Sequence, residues 1–252
     1  MEGPSIVIAT HELEEFIGLK IRRASGTSKL NWDKFTNKKL LAANSWGKHL
    51  ILSFEHLTLR IHFLMFGSYR IDNPRENRIP KMQLSYNNHE IYFYSCAIKI
   101  IDKNFEESYD FSADVMSPIW DPKSAEQKIL KAPQAFICDV LMDQDIFAGV
   151  GNIIKNEILF NLKMHPELKV SALTKKELKD LIREACDYSH QFYEWKIQNV
   201  LKRNWQIFRK KTCPECHGPV TKEATGKLQR ISHYCRHCQT MQNKVYRGSI
   251  SI

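Results

Sequence analysis

Four cysteines near the C-terminus carry the clearest chemical signal in this 252-residue chain. Cys213-Pro214-Glu215-Cys216 and Cys235-Arg236-His237-Cys238 are two CxxC pairs separated by eighteen residues. Paired thiolates at this spacing can meet at one tetrahedral Zn²⁺. Four protein ligands leave no open coordination position, so the spacing predicts one structural zinc ion and not a catalytic one. A unit this short has little core of its own, and the metal would supply most of its folding energy. Disulfides are the alternative. The other cysteines, Cys96, Cys138 and Cys186, are scattered, and Met1-Glu2-Gly3-Pro4 lacks the basic start of a signal peptide. A reducing, cytoplasmic setting is therefore expected, and zinc is preferred.

A weaker signal is Gly149-Val150-Gly151-Asn152. Two glycines permit a tight turn and let backbone N–H groups approach a phosphate at the start of the next helix. A purely structural turn explains the same residues equally well.

Charge adds a direction. The net charge is +9, and Leu201 to Ile252 holds eleven basic residues against Glu215 and Glu223, so the whole surplus sits there. Residues 1–200 are balanced. A basic module on a neutral body points to a polyanion, with nucleic acid foremost and a solvated basic tail as the alternative. Lys222, Lys227, Arg230 and Arg236 lie in or beside the cysteine module, which reads as a DNA-facing finger. No uncharged apolar run approaches the length of a membrane span.

These residues need elements to hold them. Ile6, Ala9, Leu13 and Phe16 recur at helical spacing, and Pro4 and Gly18 suit the ends of a helix over about Ser5 to Ile17. Strand-like runs follow at 49–54, 57–63, 81–86 and 90–94, separated by turns such as Asp72-Asn73-Pro74, which suggests a sandwich or barrel. After Pro118 and Pro122 the pattern turns helical, with short helices over 135–142 and 153–162 and a long amphipathic helix over 174–200. A domain boundary is expected near 112–124.

In order along the chain, Glu2-Gly3-Pro4, Gly47-Lys48, Leu141-Met142-Asp143-Gln144, Ala148-Gly149-Val150-Gly151-Asn152, Glu157-Ile158-Leu159, His165-Pro166, Gln229-Arg230 and Tyr234-Cys235-Arg236-His237-Cys238-Gln239 resemble the formamidopyrimidine-DNA glycosylase and endonuclease VIII family. The likeness covers nearly the whole chain and leans toward the endonuclease VIII side. It implies an α+β fold of two domains: an N-terminal β-sandwich with flanking helices, and a C-terminal helix–two-turn–helix domain with a four-cysteine zinc finger. The corresponding segments are 1–118, 119–205 and 206–252.

The resemblance also assigns roles. Glu2 becomes the proton-transferring carboxylate, and Lys48 contacts a phosphate beside the lesion. Asn152 grips the DNA backbone, and Arg230 at the finger's hairpin tip holds phosphates flanking an extruded nucleotide. Leu64-Met65-Phe66 become the wedge that fills the vacated stack, against the alternative of an ordinary core strand. Cys213, Cys216, Cys235 and Cys238 hold the zinc.

Two positions depart from the family pattern. The usual nucleophile is a proline exposed by removal of the initiator Met; here Met1 itself stands at that place, and the bulky Glu2 should keep it from being removed. An α-amine ionises near 7.8, so roughly a tenth is neutral at pH 7, against less than about a thousandth for a lysine. Met1 is thus the better nucleophile for a Schiff base. Ser5 replaces a second glutamate found in many relatives. The expected function is removal of oxidised bases, pyrimidines foremost, from damaged double-stranded DNA by a monomer that also cleaves at the abasic site. A non-catalytic protein that binds damaged or abasic DNA and lost activity with the proline is the alternative. A purely hydrolytic glycosylase is a third reading.

Overall fold

The computed structural model describes residues 1–101 and 104–241. The chain divides into two compact units, Met1–Phe111 and Ser112–Ile252. Residues 242–252 of the expected finger segment lie outside the described residues. The stretch from Ser112 onward bonds within the helical unit. Ala148 donates its N–H to Ala113, and Asp121 donates to Ser112.

In the first unit, helix α1 (Gly3–Leu13) opens on an extended Glu2, with Pro4 in the turn where its missing N–H costs nothing. It ends earlier than the pattern suggests, passing into a single 3₁₀ turn over Glu14–Phe16. Ile6, Ala9, Leu13 and Phe16 are all fully buried, as their spacing predicts. The strands are β1 (Arg23–Ser25), β2 (Leu40–Trp46), β3 (His49–Phe54), β4 (Leu57–Ile71), β5 (Met82–Ser85) and β6 (Glu90–Ile101). They form one antiparallel sheet in the order β1-β5-β6-β4-β3-β2.

Strands β4 and β6 run through both halves of that sheet. Their pairing proceeds to Phe63↔Cys96 and resumes at Ser68↔Tyr94, so residues 64–67 bulge out opposite Ser95. Ser95 adopts φ +48. A bulge of this kind lets a strand change direction without losing its ladder. Leu50, Leu52, Leu59 and Ile61 on one side of it and Met82, Leu84, Ile91 and Phe93 on the other share a single core with α1.

The second unit contains α2 (Pro122–Leu130), α3 (Ile137–Val140), α4 (Asn152–Asn161), α5 (Lys175–Ile197) and a hairpin of β7 (Thr221–Thr225) and β8 (Arg230–Tyr234). A capping box between Thr174 and Glu177 starts α5. Its buried face is Leu178, Leu181, Ile182, Ala185, Tyr188 and Phe192, the 3.6-residue stripe of an amphipathic helix. The cysteine module shares this unit with the helices, since Phe160 of α4 packs with Ile207, Cys213 and Cys235. No helix among the described residues is long and apolar enough to cross a membrane.

Candidate nucleic-acid interface and active site

Two groups of residues emerge, one in each unit. In the first, the main chain of Glu2 caps α1, its carbonyl accepting from Ser5 at 2.9 Å and Ile6 at 3.3 Å. Its side chain takes no part in capping, and the residue is buried. Lys48 sits in the two-residue turn between β2 and β3, which Gly47 makes possible at φ +52.

Strand β3, which leaves that turn, pairs with β4 and brings His49 and His62 directly opposite each other, with ring centroids 5.5 Å apart. Burial lowers the His62 pKa, and the chain's α-amine, Lys48 and Arg60 lower it further. The charges of the Met1 amine and Lys48 thus both act on His62. Burial, then Arg60, His62 and Lys48, push His49 down to about 4. Both rings are therefore neutral at neutral pH. The Trp46 and Tyr109 rings meet nearby in a tilted arrangement with centroids 4.8 Å apart, and the Trp46 indole donates to the Asp110 carbonyl at 3.0 Å. His62 has no counterpart among the site residues expected from sequence, although two histidines in the strands after a Gly-Lys turn are a legible sign.

Leu64, Met65 and Phe66 occupy the bulge and are 48%, 74% and 75% exposed. Three consecutive exposed apolar residues do not belong to a core strand, which would bury alternate positions. Gly67 closes the excursion, because a Cβ there would come within 2.8 Å of the Ser95 carbonyl and the Phe63 side chain.

In the second unit, Gly149 takes φ +99 and Gln144 staples the loop, its Oε1 accepting from Gly149 N and its Nε2 donating to the Val150 carbonyl. Asn152 then begins α4 and donates Nδ2–H to the Ile231 carbonyl at 3.0 Å. Below it, three consecutive polar residues are fully buried. Lys155 donates to Ser232 Oγ at 2.9 Å, and Asn156 Oδ1 accepts from His233 N at 2.7 Å. Glu157 accepts from the backbone N–H groups of Gln206, Ile207 and Phe208. Burial raises the Glu157 pKa and those three donors draw it back. Helix α4 thus holds both the finger and the strand of chain that leads into it. The sequence offers no sign of this, since Lys-Asn-Glu in a helix reads as a solvated face.

Arg230 is exposed at the first position of β8, opposite Thr225. Arg209, Lys210, Lys211 and Lys222 line a concave surface with His233, a cationic lining suited to phosphates. The four cysteine sulfurs lie within 4.8 Å of one another, with Cys213–Cys238 at 3.8 Å and Cys216–Cys235 at 3.4 Å. A tetrahedral site with metal–sulfur bonds of about 2.3 Å has edges of about 3.8 Å, so the cluster fits one ion. None of the four is in a disulfide. Burial pushes Cys235 and Cys238 up, while the Gly218 backbone draws Cys216 down to about 7, and four such close sulfurs need a cation to ionise together.

Residues 2–96 match the formamidopyrimidine-DNA glycosylase N-terminal domain, and residues 113–191 match the formamidopyrimidine-DNA glycosylase H2TH domain. Endonuclease 8-like 3 of Mus musculus is 35% identical over 204 residues, covering 77% of this chain and 33% of that protein. Endonuclease 8-like 2 of Bos taurus is 30% identical over 201 residues, covering 72% of this chain and 58% of that one. The chain spans about a third of the length of the endonuclease 8-like 3 proteins it matches. A crystal structure of Lactococcus lactis formamidopyrimidine-DNA glycosylase, non-covalently bound to DNA containing an AP site, superposes with a TM-score of 0.83 at 22% identity, covering 95% of this chain and 99% of that one. With both domain types present in order, the chain belongs to the formamidopyrimidine-DNA glycosylase and endonuclease VIII family.

Proposed function

We propose that this protein is a base-excision-repair enzyme, a DNA N-glycosylase with abasic-site lyase activity that removes oxidised bases, pyrimidines foremost, from double-stranded DNA. The observation that carries the reading is the presence of both family domains in one chain, with Met1 and a buried Glu2 at the start of α1 and Lys48 in the β2–β3 turn. A neutral amine supplies the nucleophile, and Lys48 receives a phosphate beside the damaged nucleotide. The amine nitrogen attacks C1′, and the C1′–base bond breaks with its electrons leaving on the protonated base. Opening of the sugar ring gives a C1′ Schiff base. Loss of the C2′ proton then expels the 3′-phosphate, and Glu2 is the carboxylate placed to move protons. Extrusion of the base costs least where damage has weakened its stacking. Leu64, Met65 and Phe66 fill the space it leaves, while Asn152 and Arg230 hold the backbone. The protein acts as a monomer. Zn²⁺ on Cys213, Cys216, Cys235 and Cys238 stabilises the finger fold.

Borohydride trapping on a duplex with one abasic site tests the reading. The native protein should yield a covalent adduct, and a protein with a blocked α-amine should not. Tight binding without an adduct would instead identify a non-catalytic damage-binding protein, and release of free base with an intact strand a hydrolytic glycosylase. N-terminal mass spectrometry of the native protein reads whether Met1 is present and unmodified.

A further inference from the structure

Arg230 is held in place by a turn that is itself held from behind. The residues joining β7 to β8 are Gly226, Lys227, Leu228 and Gln229. Within the turn, Gln229 takes φ +50 and its Nε2 donates to the Gly226 carbonyl at 2.7 Å. From outside, the carboxylate of Asp139 on α3 accepts both Lys227 N–H at 2.6 Å and Leu228 N–H at 3.1 Å. Glu167 Oε1 accepts Gly226 N–H at 3.0 Å. Three successive backbone donors at the hairpin tip are thus taken by two carboxylates of the helical layer. The fit is tight: a Cβ on Gly226 would lie 2.4 Å from Asp139 Oδ1, and Gly226 adopts φ +69, so only glycine leaves room for the carboxylate.

The structure assigns Asp139, with Glu167 beside it, as a positioning residue that presents Arg230 to DNA. This rests on the DNA-binding reading above and deepens it. Successive N–H groups in a turn form an anion-binding concavity. Here protein carboxylates fill it, and charge-assisted hydrogen bonds of this kind are among the stronger ones. The sign of the effect separates positioning from simple electrostatics. Asp139 places a negative charge against a turn that ends just before Arg230. If charge alone mattered, removing it would tighten the grip on a polyanion. If Asp139 fixes the tip, removing it weakens the grip although the protein becomes more basic. In Asp139→Asn the amide group turns a donor toward one of the two N–H groups and leaves it unpaired.

The test uses the full-length, zinc-loaded protein and a duplex carrying a stable abasic analogue, with affinity measured at several salt concentrations. Asp139→Asn is expected to weaken binding roughly tenfold and to lower the salt slope by about one phosphate contact, as Arg230→Ala does. The double variant should be no weaker than Arg230→Ala alone. Unchanged or tighter binding by Asp139→Asn overturns the assignment, as do losses that simply multiply in the double variant. Zinc content and thermal unfolding report the fold of each variant. If Asp139→Asn does not fold, Glu167→Gln, which loses one bond, decides on the same criteria with an expected loss of about threefold. Failure of the wild type to bind the abasic duplex overturns the DNA reading itself, a result distinct from a wild type that binds and a variant that binds as well.

Discussion

Asn152 and Ile231 are joined by a 3.0 Å hydrogen bond from the Asn152 amide to the Ile231 carbonyl. The bond ties the first residue of α4 to the residue immediately after Arg230. The two groups proposed to grip the DNA backbone are therefore set in register by one short contact, although they lie far apart in the chain. Asn152→Ala should cost about 1 kcal/mol of stability through this bond and roughly tenfold in affinity for abasic DNA. Denaturant unfolding and binding titration on the same preparation measure both. An affinity loss no larger than the stability loss predicts would leave Asn152 a structural residue only.

The bulge gives a second expectation. Phe66 is mostly exposed, so Phe66→Ala should change stability by no more than about 0.5 kcal/mol. Its contact with bases is worth about 1–3 kcal/mol if the ring stacks in the DNA. Excision from a matched duplex should fall by about tenfold or more, with a smaller loss on a single strand, where no stack has to be filled. Equal losses on both substrates would speak against the wedge role.

The paired histidines predict how the first unit responds to acid. An unfolded histidine titrates near 6.5, whereas His49 is held near 4. Its contribution to stability is complete above pH 6.5. As the pH falls from 6.5 toward 4, the unfolded chain takes up the proton first, and that contribution is lost. With allowance for the ring's partial exposure, the loss is about 2 kcal/mol. His49→Phe retains an aromatic ring beside Trp46 and Tyr109 and should flatten the decline by that amount between pH 7 and 4.5. The same steepness in both proteins would place the acid sensitivity elsewhere.

Metal content yields a fourth. Native protein should carry one zinc ion per chain, released by a thiol reagent in proportion to the four cysteines. Cys235→Ser should lose the ion and most DNA affinity, because the hairpin bearing Arg230 then lacks its main source of folding energy. The first unit should keep its own unfolding transition. Full zinc occupancy in Cys235→Ser would show that Cys235 is not a ligand.

Much of this arrangement is legible in the sequence where one physical rule dominates. The buried face of α1 follows from the spacing of Ile6, Ala9, Leu13 and Phe16, and β3 from the run His49 to Phe54. The cysteine spacing reads directly as a ligand set because two tight turns are all it requires. Strand β2 escapes notice because Leu40 to Trp46 shows no clean alternation and is held by its ladder with β3. The run that starts β4 breaks off at Phe63 because the bulge interrupts its period. Lys155, Asn156 and Glu157 look like a wet surface until the finger folds over them. Asp139 is invisible for the same reason: its partners are backbone groups almost ninety positions away, and no side-chain pattern announces them.

The bulge in β4 also bears on how such a protein can change. Phe63 is paired with Cys96 before the excursion and Ser68 with Tyr94 after it, so each side of the sheet keeps its own register. The three side chains between are half to three-quarters exposed. Replacing them alters the surface offered to a base stack while the scaffold stays as it was, which makes this short stretch a freely interchangeable cartridge in an otherwise fixed frame.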